Sequence, residues 1–251
     1  TGLKNYILYL ILFFLGSVLM RSAGCIVNDI LDKEYDSKVS RTKDRPIASG
    51  KISIKLGIIY SLILCILAFI VLINFNFLTI TLALASMPFA FTYPLMKRYT
   101  YWPQLFLGIT FNYGLILGWT AVQNNLDLPA IIFYIGAIFW TLGYDTIYGY
   151  QDIKDDEIIG LKSTSIKFQG NAKKFLFLCY IFLLIFFLIG GYIIKFNFIY
   201  YLLTILPFLH LFFYQMKIFD LKNPSSCLKA FQSNNLFGLI IFLNLIICKN
   251  L

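Results

Sequence analysis

Charge is scarce in this sequence, and negative charge is the scarcest. Only 13% of the 251 residues are charged, and 12 of them are Asp or Glu, whereas 59% are hydrophobic and 18% aromatic. An ordinary soluble domain carries about 25% charged residues, so this composition excludes that class. The strand alternation typical of a membrane barrel is also missing. The sequence therefore predicts an all-α, polytopic transmembrane helical bundle.

Residues that often carry catalysis or metal binding are equally few. The chain has one histidine and five dispersed cysteines. His210 lies in an apolar run, which favours a structural or hydrogen-bonded role over catalysis. The cysteine spacing fits neither a disulfide framework nor a metal site, so we interpret these residues as small core side chains.

The start of the sequence leads to one expectation about its domain organisation. No signal-peptide pattern is present, because the first apolar run lacks a cleavage site. The sequence begins with Thr1, and the first apolar run follows almost at once. We therefore expect one integral-membrane domain over residues 1–251 that lacks an N-terminal segment.

Long apolar runs predict eight membrane-spanning helices, since roughly 20 apolar residues cross the hydrocarbon core. Short polar links separate several of them and predict tight turns between neighbouring helices. The predicted spans are 5–27, 53–73, 76–95, 103–122, 128–148, 174–194, 197–215 and 233–248.

Basic residues predict which loops face the cytoplasm. Lys and Arg concentrate around 31–55, 96–102, 149–174 and 216–230, whereas the opposite loops hold only Lys195. Loops rich in Lys and Arg stay on the cytoplasmic side. This rule accounts for the net charge of +9 without a nucleic acid partner. We expect an integral protein of a bacterial inner membrane with both acidic regions on the cytoplasmic side, and no obligate protein partner is evident.

The first acidic cluster follows the first apolar run. If the helix continues through it, Asn28, Asp32 and Asp36 recur at four-residue intervals on one face, with Asp29 at its edge. Like charges at this spacing repel, so a cation between them is expected. Mg²⁺ fits, because it takes hard oxygen ligands from a few carboxylates and from phosphate. The alternative, a solvated helix end, is disfavoured because Asn28 and Asp29 lie inside the apolar run.

The loop Arg41–Gly50 carries several cations and the stiffening Pro46. It could fold back over a phosphate. The alternative for each cation is a loop that only marks the cytoplasmic side.

The second acidic cluster follows the fifth apolar run. If that helix continues, Asp145, Asp152 and Asp156 stand at intervals of seven and four residues on one face, close to Tyr148 and Gln151. This pattern predicts a second metal-binding face. Lys162 comes shortly afterwards and is a candidate diphosphate contact, with a topological marker as the equal alternative.

Two acidic helices on one side of the membrane could clamp one diphosphate through magnesium. Metal-bound diphosphate is a good leaving group, because the cations neutralise the charge that develops as the C–O bond breaks. Aromatic rings could shelter an allylic carbocation.

The two motifs together resemble the UbiA superfamily of intramembrane prenyltransferases. Its first motif is matched by Asn28, Asp29, Asp32 and Asp36, and its second by Asp152 and Asp156. The 4-hydroxybenzoate polyprenyltransferase branch is resembled most closely, over essentially the whole chain, in the stretches Met20–Cys25, Arg41–Gly50, Tyr93–Thr100 and Tyr144–Tyr148.

The resemblance implies a fold and a reaction. Members have nine transmembrane helices around a central cavity, so eight agree with the loss of the first helix. The implied reaction is Mg²⁺-dependent transfer of an all-trans polyprenyl group from polyprenyl diphosphate to 4-hydroxybenzoate, at the ring carbon ortho to the hydroxyl, in ubiquinone biosynthesis.

The resemblance also implies residue roles. Magnesium and diphosphate would be held by Asn28, Asp29, Asp32, Asp36, Asp152 and Asp156. Diphosphate oxygens would contact Arg45, Arg98 and Lys162, while Asp145 and Tyr148 would support or orient the site.

Two alternatives stay open from the sequence. Another branch of the superfamily, acting in menaquinone or haem synthesis, shares the acidic motifs. A cation transporter could also place acids inside a helical bundle, but it predicts acids near the bilayer midplane instead of at one face.

Overall fold

The computed structural model describes residues 3–39 and 41–249, and within these ranges every regular element is helical. Thr1, on which the expectation about the N-terminus rests, lies outside the described residues. The α-helices are α1 (Leu3–Leu31), α2 (Lys33–Asp36), α3 (Ile54–Leu72), α4 (Phe77–Thr92), α5 (Met96–Tyr99), α6 (Pro103–Phe111), α7 (Tyr113–Gln123), α8 (Leu128–Gly149), α9 (Ile153–Ile158), α10 (Thr164–Lys167), α11 (Ala172–Ile194), α12 (Phe198–Leu209), α13 (Met216–Ile218), α14 (Pro224–Gln232) and α15 (Asn234–Lys249).

Eight helical stretches in the described chain are long and apolar enough to cross a membrane, as the sequence predicts. The protein is an integral membrane protein, and large apolar side chains such as Ile66, Phe89 and Phe213 are exposed, as contact with lipid requires. The spans are Asn5–Leu31, Ile54–Leu72, Phe77–Tyr99, Pro103–Gln123, Leu128–Gly149, Gln169–Ile194, Phe198–Ile218 and Pro224–Cys248.

The last span starts nine residues before the predicted boundary at 233. Its first turns form α14, which is too polar to resemble a span in the sequence. Asn223 caps this helix by accepting hydrogen bonds from the amides of Ser225 and Ser226, and Pro224 occupies its first turn. Local capping therefore extends the helix into a segment that hydropathy assigns to a loop.

The chain divides into two compact units. The first comprises residues 1–96 and 113–126. In it α1 packs against α3, and α4 packs against α7. The hydroxyls of Thr79 and Thr120 are 3.0 Å apart at the second of these contacts, and Asn76 donates to the Thr120 carbonyl at 2.8 Å.

The second unit comprises residues 97–112 and 127–251. Helix α8 lies against α6, α11 and α14. Gly136 and Gly190 allow α8 and α11 to approach, because a Cβ atom at either position would press on the ring of Phe187 or Phe133. Helix α12 passes through a π-helical turn, His210–Gln215, before α13 begins.

Candidate functional site

The first acidic motif lies where the first membrane span ends. Helix α1 ends at Leu31, Asp32 forms a one-residue turn, and α2 follows. The amide of Asp32 donates to the carbonyl of Asn28, and the amide of Asp36 to that of Asp32, both at 2.8 Å. The predicted four-residue spacing of Asn28, Asp32 and Asp36 therefore holds through the turn. Asp32 and Asp36 are buried, with 1% and 7% of their surface exposed.

Arg45 returns from the following loop to this motif. Its Nη1 donates to Asp29 Oδ1 at 3.0 Å and to Asp36 Oδ2 at 2.9 Å. The Thr42 hydroxyl donates to the Asp36 carbonyl at 3.0 Å, and the Arg45 amide donates to the Thr42 carbonyl. The loop thus folds back as the sequence suggested. In this structure, however, the Arg45 guanidinium contacts the acidic side chains predicted to bind metal.

The contact of Arg45 tests whether these carboxylates fit a metal cation. Oxygens from Asp29 and Asp36 both lie within 3.0 Å of a single cationic nitrogen atom. Mg²⁺ prefers hard oxygen ligands and usually takes one or two carboxylates together with phosphate oxygens. Within the described residues, no three Asp, Glu, His or Cys side chains are grouped as a metal site. Two carboxylates suffice for Mg²⁺ bound together with a diphosphate, so the residues fit this cofactor.

The second acidic motif does not lie on one continuous helix, so the predicted continuation of the helix from Asp145 through Asp152 and Asp156 is wrong. Helix α8, which carries Asp145, ends at Gly149, and α9 begins after Asp152. Between them, the amides of Tyr150 and Gln151 each bond to the carbonyl three residues earlier, which tightens the chain into a turn. The pair Asp152 and Asp156 keeps the four-residue spacing, because the amide of Asp156 donates to the carbonyl of Asp152 at 2.9 Å.

Tyr150 lies at the turn between the two helices. Its side chain is buried, with its ring 5.6 Å from that of Phe219. Burial raises the pKa of its hydroxyl, because desolvation disfavours the phenolate. The packing of this ring fixes the turn just before Asp152.

Neutral, buried hydrogen bonds hold the end of α8. The hydroxyls of Thr146 and Thr164 are 2.6 Å apart, and Ser165 donates to the Thr146 carbonyl at 2.8 Å. Gln104 accepts from the amide of Thr164 at 3.0 Å. These four residues were not predicted from the sequence. A possible signal was polar side chains beside or inside apolar spans, since buried polar groups need partners.

Two of the predicted diphosphate-binding cations lie on neighbouring segments of the second unit. The Lys162 amide donates to the Lys97 carbonyl at 2.8 Å, and its ammonium donates to the Tyr99 carbonyl at 3.2 Å. Arg98 stands between these two acceptor residues and is half-buried. The structure therefore brings the backbone at Lys162 next to the segment that carries Arg98.

Asp145 and Tyr148 occupy the last two turns of α8, and both side chains are half-buried. The Tyr148 ring lies 4.6 Å from that of Phe231 in α14. This contact orients the last turn of α8 within the second unit.

Comparison with known families identifies the chain. The model of the UbiA prenyltransferase family matches residues 1–246. The chain belongs to this family. The match confirms the resemblance expected from the acidic motifs.

Relatives of this UbiA-family chain include 4-hydroxybenzoate transferases. The mitochondrial 4-hydroxybenzoate polyprenyltransferase of Bos taurus is 44% identical over 95% of the chain. That of Drosophila pseudoobscura pseudoobscura is 41% identical over 94%, and 4-hydroxybenzoate geranyltransferase 2 of Lithospermum erythrorhizon is 40% identical over 95%. The chain spans 65%, 59% and 78% of their respective lengths.

Solved structures share the fold of this UbiA-family chain. The apo structure of a UbiA homologue from Aeropyrum pernix K1 has a TM-score of 0.79 at 23% identity, over 94% of this chain and 88% of that one. A UbiA homologue from Archaeoglobus fulgidus bound to GPP and Mg²⁺ has a TM-score of 0.73 at 16% identity, over 95% and 87% of the two chains. The helical architecture is therefore that of the UbiA fold.

Proposed function

We propose that this protein transfers a polyprenyl group from polyprenyl diphosphate to the ring carbon ortho to the hydroxyl of 4-hydroxybenzoate, as a step of ubiquinone biosynthesis. The observation that carries the proposal is the pair of carboxylate oxygens, from Asp29 and Asp36, that meet one cationic atom at the end of an apolar span. The relatives named for 4-hydroxybenzoate favour this acceptor over those of the menaquinone and haem branches.

The proposed reaction balances without a protein nucleophile. The bond between prenyl C1 and a diphosphate oxygen breaks, and C1 forms a carbon–carbon bond with the ring. The ring carbon loses its proton, and diphosphate leaves. An ionised phenol is already electron-rich, so the protein has only to hold the donor, orient the acceptor and exclude water.

Each motif has its own part in this proposal. The ligands for Mg²⁺ and diphosphate would be Asn28, Asp29, Asp32, Asp36, Asp152 and Asp156, and the diphosphate contacts would be Arg45, Arg98 and Lys162. When bound, Mg²⁺ supplies charge that neutralises the departing diphosphate. Asp145 and Tyr148 would orient the second motif, a role supported by the Tyr148 ring contact. The Archaeoglobus fulgidus homologue, bound to GPP and Mg²⁺, supports this choice of cofactor.

We propose that both acidic motifs face the membrane side that carries the Lys- and Arg-rich loops. Alternation of the eight spans supports this topology, because the two motifs follow the first and fifth spans. The sequence predicts a bacterial inner membrane, while the names of two of the relatives above point to a mitochondrial membrane. Cell fractionation of the native source distinguishes these locations.

The proposed activity is tested in membranes that contain the full chain. We expect 4-hydroxybenzoate carrying a ring label to become lipid-soluble with a long polyprenyl diphosphate and Mg²⁺, but not when a chelator removes Mg²⁺. Geranyl diphosphate serves as a second donor, because one relative is a geranyltransferase. Other aromatic acceptors and haem serve as alternative substrates. Prenylation of one of these, with 4-hydroxybenzoate left unprenylated, would move the protein to a sister branch.

The second motif is tested separately with Asp152→Asn. Glu157→Gln is the matched control, because this exposed carboxylate is outside the proposed ligand set. We expect the control to retain turnover and Asp152→Asn to lose it while staying folded in the membrane. Substantial activity in Asp152→Asn would remove the second motif from the proposal.

A further inference from the structure

A cavity of about 550 Å³ opens in the second unit, outside the residues of both acidic motifs. Its wall is formed by residues of two segments, 169–174 and 217–222, the second without Ile218. The first begins the span Gln169–Ile194, and the second overlaps the end of the span Phe198–Ile218. These consecutive spans are joined by a short turn near Lys195, so both cavity segments emerge on the same face of the membrane.

The lining of this cavity is strongly basic. Its charged members are one acid, Asp220, and four lysines: Lys173, Lys174, Lys217 and Lys222. All four lysine side chains are exposed. Within the described part of the chain, none of their ammonium groups has a hydrogen bond or ion pair. Asp220 Oδ1 instead accepts from the backbone amide of Lys222 at 3.0 Å, so four ammonium groups remain available to an anion.

The cavity lies at the boundary between polar and apolar surroundings. Ala172 and Phe219, which also line it, are 6% and 2% exposed, while the lysines beside them reach water. The N-terminus of α11 adds the positive end of a helix dipole to the same wall. Long basic side chains at span ends characteristically reach the level of the lipid headgroups.

We propose that this cavity binds the phosphate-bearing headgroup of an anionic phospholipid. Basic pockets between spans on the positively charged side of a membrane recognise headgroups of this kind. Four lysines around one cavity match a headgroup with more than one phosphate. The positive-inside rule alone requires basic loops but no such concentration around a cavity. This inference goes beyond the proposed prenyl transfer and does not rest on it.

The test uses the full chain in neutral detergent and native mass spectrometry. Cardiolipin, phosphatidylcholine and inorganic diphosphate are titrated separately. The cavity variant combines Lys173→Gln, Lys174→Gln, Lys217→Gln and Lys222→Gln. The control variant changes four exposed lysines of the same membrane side outside the cavity: Lys38→Gln, Lys51→Gln, Lys55→Gln and Lys229→Gln. Both variants lose the same charge.

We expect the affinity for cardiolipin to fall roughly tenfold or more in the cavity variant, since each lysine near a membrane surface contributes to anion attraction. The control variant should bind cardiolipin nearly as well as the parent, and phosphatidylcholine should bind weakly to all three. A second cavity variant with arginine at the same four positions should keep its affinity. It also serves as the folded reference if the glutamine variant shows an altered elution profile.

Three results overturn the inference. Equal loss of cardiolipin affinity in the cavity and control variants would mean that the overall positive charge, and not the cavity, attracts the lipid. Equal affinity for cardiolipin and phosphatidylcholine would remove headgroup recognition. If the cavity variant loses affinity for inorganic diphosphate but not for cardiolipin, the cavity binds a soluble phosphate compound instead of a lipid.

Discussion

In the first unit, a cation from the following loop holds the side chains of the first acidic motif. In the second unit, neutral groups hold the helix end that precedes the second acidic motif. Arg45 binds Asp29 and Asp36 through one guanidinium nitrogen, and its side chain stays partly exposed to solvent. The end of α8 is anchored instead by the buried hydroxyls of Thr146 and Thr164. A charged contact near water responds to salt and to competing anions, while a buried neutral contact depends on close packing. The two motifs should therefore fail under different perturbations.

The largest expected effect concerns Asp36, which is both a proposed ligand and an anchor for Arg45. We expect Asp36→Asn to lower turnover by roughly 100-fold or more, because removal of one preorganised electrostatic group has costs of this size. Initial rates with labelled 4-hydroxybenzoate measure it. Asp44→Asn, which changes an exposed carboxylate on the same loop, should keep its rate. Equal rates in the two variants would contradict the proposed role of Asp36.

Gly149→Ala tests whether close packing holds the end of α8 in the second unit. The added Cβ would come too close to Ser165 Oγ, so we expect the free energy of unfolding to fall by about 1–3 kcal/mol. Gly114→Ala is the control, because nothing lies within 4 Å of its Cβ position. Chemical denaturation in detergent measures both.

Adding Ser165→Ala should recover part of the loss caused by Gly149→Ala, because it removes the clashing oxygen. If the double variant is as unstable as the sum of the single ones, the steric account of this position is wrong.

Arg98→Ala should act mainly on the donor. We expect its KM for the prenyl diphosphate to rise roughly tenfold, as a charge-assisted hydrogen bond of about 1.5 kcal/mol predicts. The KM for 4-hydroxybenzoate should stay the same. Unchanged KM and kcat for the donor would exclude Arg98 from diphosphate binding.

A double-mutant cycle measures the neutral anchor directly. Thr146→Val and Thr164→Val each remove one hydroxyl of a buried pair, and we expect a coupling of about 1 kcal/mol between them. The free energies of unfolding of the four proteins, measured by chemical denaturation, provide this value. Strict additivity would mean that the two hydroxyls do not stabilise each other.

The smallest effect should separate the charged contact from the neutral one. Arg45→Gln removes the ion pair, and we expect its stability to depend less on salt than that of the parent protein. Thr164→Val should leave the salt dependence of the parent unchanged. Unfolding curves at low and high sodium chloride compare the three proteins, and identical salt responses would contradict the proposed difference between the two motifs.

Features that depend on local composition could be predicted from the sequence. Span positions follow hydropathy because each span must satisfy its backbone polar groups within itself. The four-residue spacing of Asn28, Asp32 and Asp36 also survives, since backbone bonds continue through the turn at Asp32. Whether α8 continues through the second acidic motif could not be predicted from the neighbouring residues alone. Gly149 and Tyr150 end α8 there, and their packing partners lie elsewhere in the chain.

The sequence by itself determined that this chain is a helical membrane protein with two acidic motifs of the UbiA type, because apolar runs and residue spacing act over neighbouring residues. Only the tertiary structure decided that Arg45 reaches Asp29 and Asp36, and that Gln104 and Thr164 meet beside α8. These contacts join residues 9 to 60 positions apart, and no periodic pattern specifies such pairs. Burial and partner geometry select them once the helices have packed.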